Sequence, residues 1–285
     1  MSGIDLDSYF RRIDYTGARA PTLEVLAALQ LAHADAIPFE GLDPALGRPV
    51  RLDPASLQAK LLTGGRGGYC FEQNGVFWRV LEALGFEVTP LAARVCWMAA
   101  DDAPPSGLTH MLLEVDLAEG AFLADVGFGG QSPTAPLRLE LGLEQATPHG
   151  VYRLARQDAV WELQMRIGDR WPALYRFTLE PRALADYEIG NWFTSTHPDS
   201  HFTNCLMVSR APHGRRLNLQ DTQLTTHFAD GRQEVRQIGS AEELHQLLAA
   251  AFGIVLDPAD ARRLFDKVAP PAPAATKRAS GALTT

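Results

Sequence analysis

Apolar residues recur at helical spacing through the first third of the chain and change to alternation from Phe86 onward. Asp7 or Ser8 is positioned to cap a short helix through Tyr9, Phe10 and Ile13. Thr22 opens a second, carrying Leu23, Val25, Leu26, Leu29 and Leu31, which Pro38 ends. His33, near its end, reads as a surface histidine, satisfied locally or by the helix dipole. Asp53-Pro54, a cap followed by proline at the first helical position, starts a third helix through Leu57, Leu61 and Leu62. The clearest pattern is Cys70, Asn74, Phe77, Trp78, Leu81 and Leu84, one face of a helix entered from a glycine-rich turn and closed by Gly85.

Beyond Phe86, strands are predicted at Phe86–Thr89, Leu91–Trp97, Leu108–Leu117 and Ala121–Val126. Asp101–Gly107 reads as a loop, and Glu119-Gly120 as the turn of a hairpin. Further strands are expected at Val151–Leu154, Val160–Ile167 and Trp171–Phe177, a spacing that suggests a small barrel or curled sheet. A loop is expected after Asn191, then strands at Cys205–Val208 and Leu217–Leu219. Ser240 heads a capping box for a helix through Leu244, Leu247, Leu248 and Phe252, with Gly253 closing it, and Asp257-Pro258 starts a last helix. The Ala/Pro/Ser/Thr-rich end, 269–285, reads as a disordered tail.

The chain has 285 residues, with 46% hydrophobic and 21% charged, and suits two or three small domains. A net charge of −8 argues against nucleic acid or an anionic membrane surface as main partner. Three cysteines, Cys70, Cys96 and Cys205, make no disulfide framework and no metal-binding spacing, which fits a reducing, cytoplasmic setting. The N-terminus lacks the features of a signal peptide, and no apolar run reaches membrane-spanning length. The histidines at 197, 201, 213, 227 and 245 show no ligand spacing with a carboxylate or cysteine, so no metal is expected.

Cys70 changes the picture. On the first turn of a helix, unpaired N–H groups and the macrodipole favour a thiolate, although free cysteine is usually inert packing. His110, near the start of the long strand, and Asp125, near the end of its return partner, are a base and a carboxylate to match. A two-residue turn at Glu119-Gly120 pairs Asp125 with Glu114, so His110 and Asp125 share a face but lie four residues apart along the hairpin. Twist, a bulge or a register shift must close that gap. From the residues alone, His110 reads equally well as a structural histidine at a strand edge.

Five separated motifs resemble the arylamine N-acetyltransferase family: Ile37–Leu42, Arg66–Asn74, Thr109–Leu113, Asp125–Gly130 and, more weakly, Ser195–Phe202. They span about two-thirds of the chain in the family's order, and Gly41 departs from the family's usual Asn. The resemblance implies an α+β plan: a helical bundle (1–86) carrying the nucleophile, a β-barrel (87–196) carrying His and Asp, and an α/β lid (197–268), around a cysteine-protease-like core. It implies Cys70, His110 and Asp125 as catalytic triad, and ping-pong transfer of acetyl from acetyl-CoA, through an acetyl-cysteine, to arylamines or hydrazines. Coenzyme A is expected against Gly127, Phe128, Gly129 and Gly130, with Ser106, Gly107 and Thr109 nearby. Phe39, Tyr69, Phe128 and Phe202 are candidates for the acceptor pocket, and Arg66 with Glu40 for an ion pair bracing the Cys70 turn. Competing readings are an amide synthase of a polyketide-type pathway on the same fold, a thiol hydrolase, and a non-enzymatic relative. The sequence leaves the preferred amine and a homodimeric state open.

Overall fold

The computed structural model describes residues 3–100 and 102–269. Of the expected tail, only Ala269 is among them, ending the last helix.

The N-terminal part consists of helices α1 (Leu6–Arg12), α2 (Leu23–Ala36), α3 (Leu42–Ala45), α4 (Pro54–Leu57) and α5 (Cys70–Ala83), with a short strand β1 (Phe39–Glu40) between α2 and α3. Thr22 caps α2 and Asp53 caps α4, as expected. Helix α1 is capped by Asp5, two or three residues before Asp7 or Ser8, because the Asp5 carboxylate accepts the Asp7 N–H. α4 continues into a π-helical stretch, Gln58–Thr63.

His33 is not at the surface. It is fully buried between two polar partners, with Nε2 at 2.7 Å from Gln73 Oε1 and Nδ1 at 3.0 Å from the Tyr9 hydroxyl. Gln73 donates its amide to the Pro38 carbonyl, so its Oε1 accepts from His33 Nε2 and the imidazole is the neutral tautomer. The sequence pattern missed this because the partners come from two other helices.

Eight strands follow: β2 (Glu87–Val95), β3 (Leu108–Leu117), β4 (Gly120–Ala124), β5 (Leu137–Arg138), β6 (Gln145–Thr147), β7 (Gly150–Gln157), β8 (Val160–Met165) and β9 (Ala173–Phe177). They form one antiparallel sheet in the order β5-β4-β3-β2-β9-β8-β7-β6. Its two edge strands are consecutive in the chain, which requires the sheet to curl into a nearly closed barrel. The Gln145 side chain bridges the remaining gap, accepting the Arg138 N–H at 2.7 Å and donating to the Arg138 carbonyl at 3.0 Å, as a paired strand would. The two strands expected on either side of Pro90 are one. Pro90 lies where β2 pairs with β3 but has not yet met β9, so its missing N–H interrupts no ladder.

After the barrel come α6 (Leu184–Thr196), α7 (His201–Asn204), β10 (Met207–Arg210), β11 (Arg215–Gln220), β12 (Gln223–Phe228), β13 (Gln233–Gln237), α8 (Ala241–Phe252) and α9 (Pro258–Val268). The second sheet runs β1-β10-β11-β12-β13, so a strand from the helical part edges the C-terminal sheet. Ser240, Gly253 and Asp257 cap α8 and α9 as expected. Helix α6 runs on to Thr196, past Asn191, after which a loop is expected, and its earlier turns lie where no element is expected. Its Ile189 and Trp192 point outward while Tyr187, Asn191 and Ser195 are buried, which blurs the helical pattern.

Among the described residues three apolar cores result. One joins α1, α2 and α5 to one face of β2, β3 and β4 through Met111, Leu113, Val115 and Ala124. The second fills the barrel with Leu91, Leu112, Leu123, Tyr152, Leu163 and Tyr175. The third packs α8 and α9 on the C-terminal sheet and takes Leu42, Ala45 and Leu46 from the N-terminal part. Strand β3 is thus covered on both faces, which is why it reads as a nearly continuous apolar run.

Glu40 and Arg66 form the expected ion pair, two-pronged at 2.7 and 2.9 Å. The Glu40 carboxylate also accepts the N–H groups of Leu42 and Gly67. Glu40→Gln, which leaves Arg66 without its main partner, is expected to lower the unfolding free energy by about 3 kcal/mol in urea titrations with an unchanged m-value. Burial, aided by Arg12, outweighs the Gln73 bond and pushes the His33 pKa down to about 4. The unfolded chain therefore takes up a proton below pH ~6.5 that the folded chain refuses. Stability is expected to fall by about 3 kcal/mol between pH ~6.5 and ~4 on this account, and a His33→Gln variant should show a flatter acid limb.

Candidate active site

Helix α5 starts at Cys70, so the sulfur stands on its first turn as the sequence implies. Tyr69 is the N-cap, and Glu72 accepts the Tyr69 N–H at 3.1 Å, tying down the entry. Cys70 Sγ lies 3.4 Å from the Thr109 carbonyl, against the start of β3.

The hairpin of β3 and β4 turns at Ala118-Glu119 rather than Glu119-Gly120, with Leu117 opposite Gly120 and Leu113 opposite Ala124. Carried one residue further, this register sets Asp125 opposite Leu112, two residues from His110 instead of four. A shift by an even number of residues keeps every side chain on its face, so alternation could not reveal it. His110 Nε2 lies 2.8 Å from Asp125 Oδ2, both groups buried.

Four donors converge on the Asp125 carboxylate. Oδ2 takes His110 Nε2 and the Tyr175 hydroxyl at 2.9 Å; Oδ1 takes Asn74 Nδ2 at 2.9 Å and the Gly127 N–H at 2.8 Å. Burial alone would raise this carboxyl's pKa, but His110, Asn74 and the Gly127 N–H hold it below the usual range. Burial works the other way on His110; the Asp125 charge and bond, with the Cys70 side chain, overcome it and push the imidazole up to about 10. With Nε2 held by Asp125, Nδ1 is the nitrogen left for the Cys70 sulfur.

Two of these supports were not singled out from sequence. In the sequence Asn74 is part of a helix face; in the fold it donates to Asp125 and to the Met111 carbonyl (2.7 Å) and accepts the Val126 N–H (3.0 Å), fastening α5 to β3 and to the Asp125 turn. Tyr175 lies in the expected last barrel strand, where alternation turns it inward; a buried phenol needs a polar partner, and this was the available signal.

Gly127 follows on the turn, pressed so closely to α5 that a Cβ there would lie 2.8 Å from the Cys70 Cα. Phe128 stands edge-on to His110 at 5.1 Å and is partly exposed. Gly129 and Gly130 lie in a short 3₁₀ turn, Gly129 against Phe39 and Gly130 against Asn218. Thr109 borders the sulfur, and Gly107 is exposed just before β3. The Ser106 hydroxyl is engaged by the Val95 carbonyl at 2.9 Å. Phe39, Tyr69 and Phe202 cluster, with Phe202 at 6.0 Å from Phe39 and 5.3 Å from Tyr69. Tyr69 is wholly buried with its hydroxyl on Asn191, and Phe39 nearly so, leaving Phe202 and Phe128 as the accessible aromatics. Among the described residues no cluster of His, Cys, Asp or Glu is placed to hold a metal ion, and no helix is long and apolar enough to cross a membrane.

A family model described as N-acetyltransferase matches residues 22–261. The arylamine N-acetyltransferase of Mycolicibacterium smegmatis is 44% identical over 93% of this chain and 98% of its own. The chain belongs to the arylamine N-acetyltransferase family. The Escherichia coli K12 member is 42% identical over 93% of this chain and 94% of its own. The Mycobacterium marinum enzyme, solved in complex with CoA, superposes with a TM-score of 0.89 at 43% identity over 93% of this chain and 99% of that one.

Because folded His110 holds its proton up to about pH 10 and the unfolded residue releases it near 6.5, its contribution to stability is complete below pH ~6.5 and is lost as pH rises toward ~10. Asp125→Asn is expected to remove that alkaline slope, read as the difference between wild-type and variant unfolding free energies across pH 6.5 to 10.

Proposed function

We propose that this chain transfers the acetyl group of acetyl-CoA to the nitrogen of arylamines and arylhydrazines, with Cys70 as nucleophile, His110 as base and acid, and Asp125 as the group that orients His110. The observation that carries the reading is the meeting of the Cys70 thiol, at a helix N-terminus, with an imidazole whose other nitrogen is held by a buried carboxylate. The same likeness to the CoA-bound Mycobacterium marinum enzyme supports acetyl-CoA as the donor.

In the first half-reaction Cys70, as thiolate paired with the imidazolium of His110, attacks the thioester carbonyl of acetyl-CoA. The C–S bond to coenzyme A breaks, and the leaving thiolate takes a proton from His110. In the second, the amine nitrogen attacks the acetyl-cysteine carbonyl, His110 removes its proton, and the Cys70 sulfur leaves as thiolate, restoring the thiolate–imidazolium pair. The Cys70 N–H at the start of α5 supplies one donor to the tetrahedral oxyanion. Asp125, with its four donors, keeps the imidazole in one tautomer through both halves.

In this reading coenzyme A lies along Thr109, Gly107 and Ser106 and the Gly127–Gly130 turn, and the acceptor ring between Phe128 and Phe202, with Phe39 and Tyr69 forming the wall behind. The helical part (1–86) delivers the nucleophile, the barrel (87–196) the base and carboxylate, and residues 197–268 the lid, with Phe39–Leu46 lent to the lid. A cytoplasmic setting keeps Cys70 reduced, and the chemistry works equally in a monomer or a homodimer.

Incubation with acetyl-CoA and no amine should add one acetyl group to the intact mass of the wild type and none to Cys70→Ala. Subsequent addition of an arylamine should return the wild-type mass to its starting value with formation of the amide. An unmodified wild type, or an equally modified Cys70→Ala, would rule the mechanism out.

A further inference from the structure

The turn that follows Asp125, residues 126–133, belongs to neither sheet. Its carbonyls are taken up by three buried side chains from elsewhere in the chain. Gln30 of α2 donates to the Pro133 carbonyl at 2.9 Å. The Tyr152 hydroxyl of β7 lies 3.1 Å from the carbonyls of Gln131 and Ser132. Arg216 of β11 donates to the Gly130 carbonyl at 3.2 Å and the Ser132 carbonyl at 2.8 Å. Arg216 is only 5% exposed. Its other bonds go to the His149 carbonyl at 3.1 Å and the Tyr152 hydroxyl at 2.7 Å. Among the described residues, each hydrogen bond of this buried cation therefore ends on a neutral oxygen. A buried charge held in this way is costly, and apolar packing would join β11 to the barrel at a lower cost.

We infer that Arg216 is a positioning residue for acyl transfer: reaching across from the C-terminal sheet, its planar fork fixes the far end of the Gly127–Gly130 turn in the shape that receives the coenzyme A part of the acyl donor. This rests on the acyl-transfer reading above. The two ends of the turn are held differently. At the near end Asn74 accepts the Val126 N–H and Asp125 accepts the Gly127 N–H. Phe128 is set against the rings of His110 and Tyr175. That end is secured by α5 and the barrel. Beyond it the chain turns at Gly129, with φ of +80°. Gly130 lies against Asn218, which is two residues along β11 from Arg216 and so on the same face. Two glycines have no side chains to pack, so the path here depends on what holds the Gly130 and Ser132 carbonyls. In the reading above the acceptor ring lies at Phe128 and Phe202, whereas Gly129 and Gly130 meet coenzyme A alone. Loss of the guanidinium therefore frees the donor end of the turn and leaves Asp125 with its four donors.

The test compares Arg216→Met, which keeps the stem and removes the donors, with Arg216→Lys, which keeps the charge but cannot bridge the same oxygens as a fork. Acylation of Cys70 is read in single turnovers with two donors. One is acetyl-CoA below saturation; the other is p-nitrophenyl acetate, an activated acetyl ester with no coenzyme A part. The Kd of coenzyme A itself is read by calorimetric titration. Arg216→Met should weaken coenzyme A binding and slow acylation by acetyl-CoA about tenfold each, while p-nitrophenyl acetate acylates within about twofold of the wild-type rate. Arg216→Lys should show the same selectivity with a smaller loss, about threefold, and keeps the test open if Arg216→Met folds poorly. A lowered unfolding midpoint with unchanged coenzyme A affinity and unchanged acylation by both donors would make Arg216 a purely structural residue and overturn the inference. An equal loss with both donors would also overturn it, by moving the effect to Cys70 and His110. Failure of the wild type to acylate from acetyl-CoA would instead overturn the acyl-transfer reading beneath it.

Discussion

The buried carboxylate of Asp125 is the constraint on which the rest of the molecule turns. A charge with no solvent contact is tolerable only when its acceptor positions are filled by well-placed donors. Here they are filled from four places: Asn74 on α5, His110 on β3, Tyr175 on β9, and the Gly127 N–H on the turn that follows β4. Each donor belongs to an element with its own core to satisfy, so the carboxylate ties the helical part to the barrel at one point. That point lies within reach of Cys70. The same bonds that make the charge affordable also hold the imidazole in a single orientation toward the sulfur.

The division of labour between the two faces of β3 follows from this. Met111 and Leu113 face the helices, whereas Leu112, and with it His110, faces the barrel interior. Cys70 arrives from the helical side and His110 from the barrel side, and they meet where α5 begins beside the Thr109 carbonyl. Gly127 permits this meeting, because any side chain there would intrude on the first turn of α5. Asn74 then spends both donors and its acceptor on the same junction, so the relative position of helix and hairpin is set by hydrogen bonds as well as by packing.

Around this junction the aromatic residues fall into two classes. Phe39 and Tyr69 are construction material: Tyr69 caps α5 and is anchored through its hydroxyl to Asn191 of α6. Phe128 and Phe202 keep accessible surface, one on the turn after Asp125 with its ring against His110 and one on a single-turn helix against Phe39 and Tyr69. Phe202 takes its place against the buried pair, and Gly41 leaves it side-chain room.

Much of this was legible in the sequence because local rules suffice for it. Helix caps at Thr22, Asp53, Ser240 and Asp257, the start of α5 at Cys70, and the shared face of His110 and Asp125 all depend on neighbours a few residues away or on alternation, which short-range physics fixes. The glycine-rich entry and the motifs around the three residues also pointed to the family. Other features lay beyond the sequence because their causes are distant. The two-residue register shift that brings Asp125 to His110 preserves every inward and outward position, so only the turn geometry in the folded hairpin decided it. His33 lies between Tyr9 and Gln73 of other helices, and its burial there keeps it neutral, while α6 is disguised by the apolar residues it exposes. The sequence by itself determined that Cys70, His110 and Asp125 are present in their motifs and which face each occupies; only the tertiary structure decided the distances between them, because those distances are set by donors gathered from four separate elements around one buried charge.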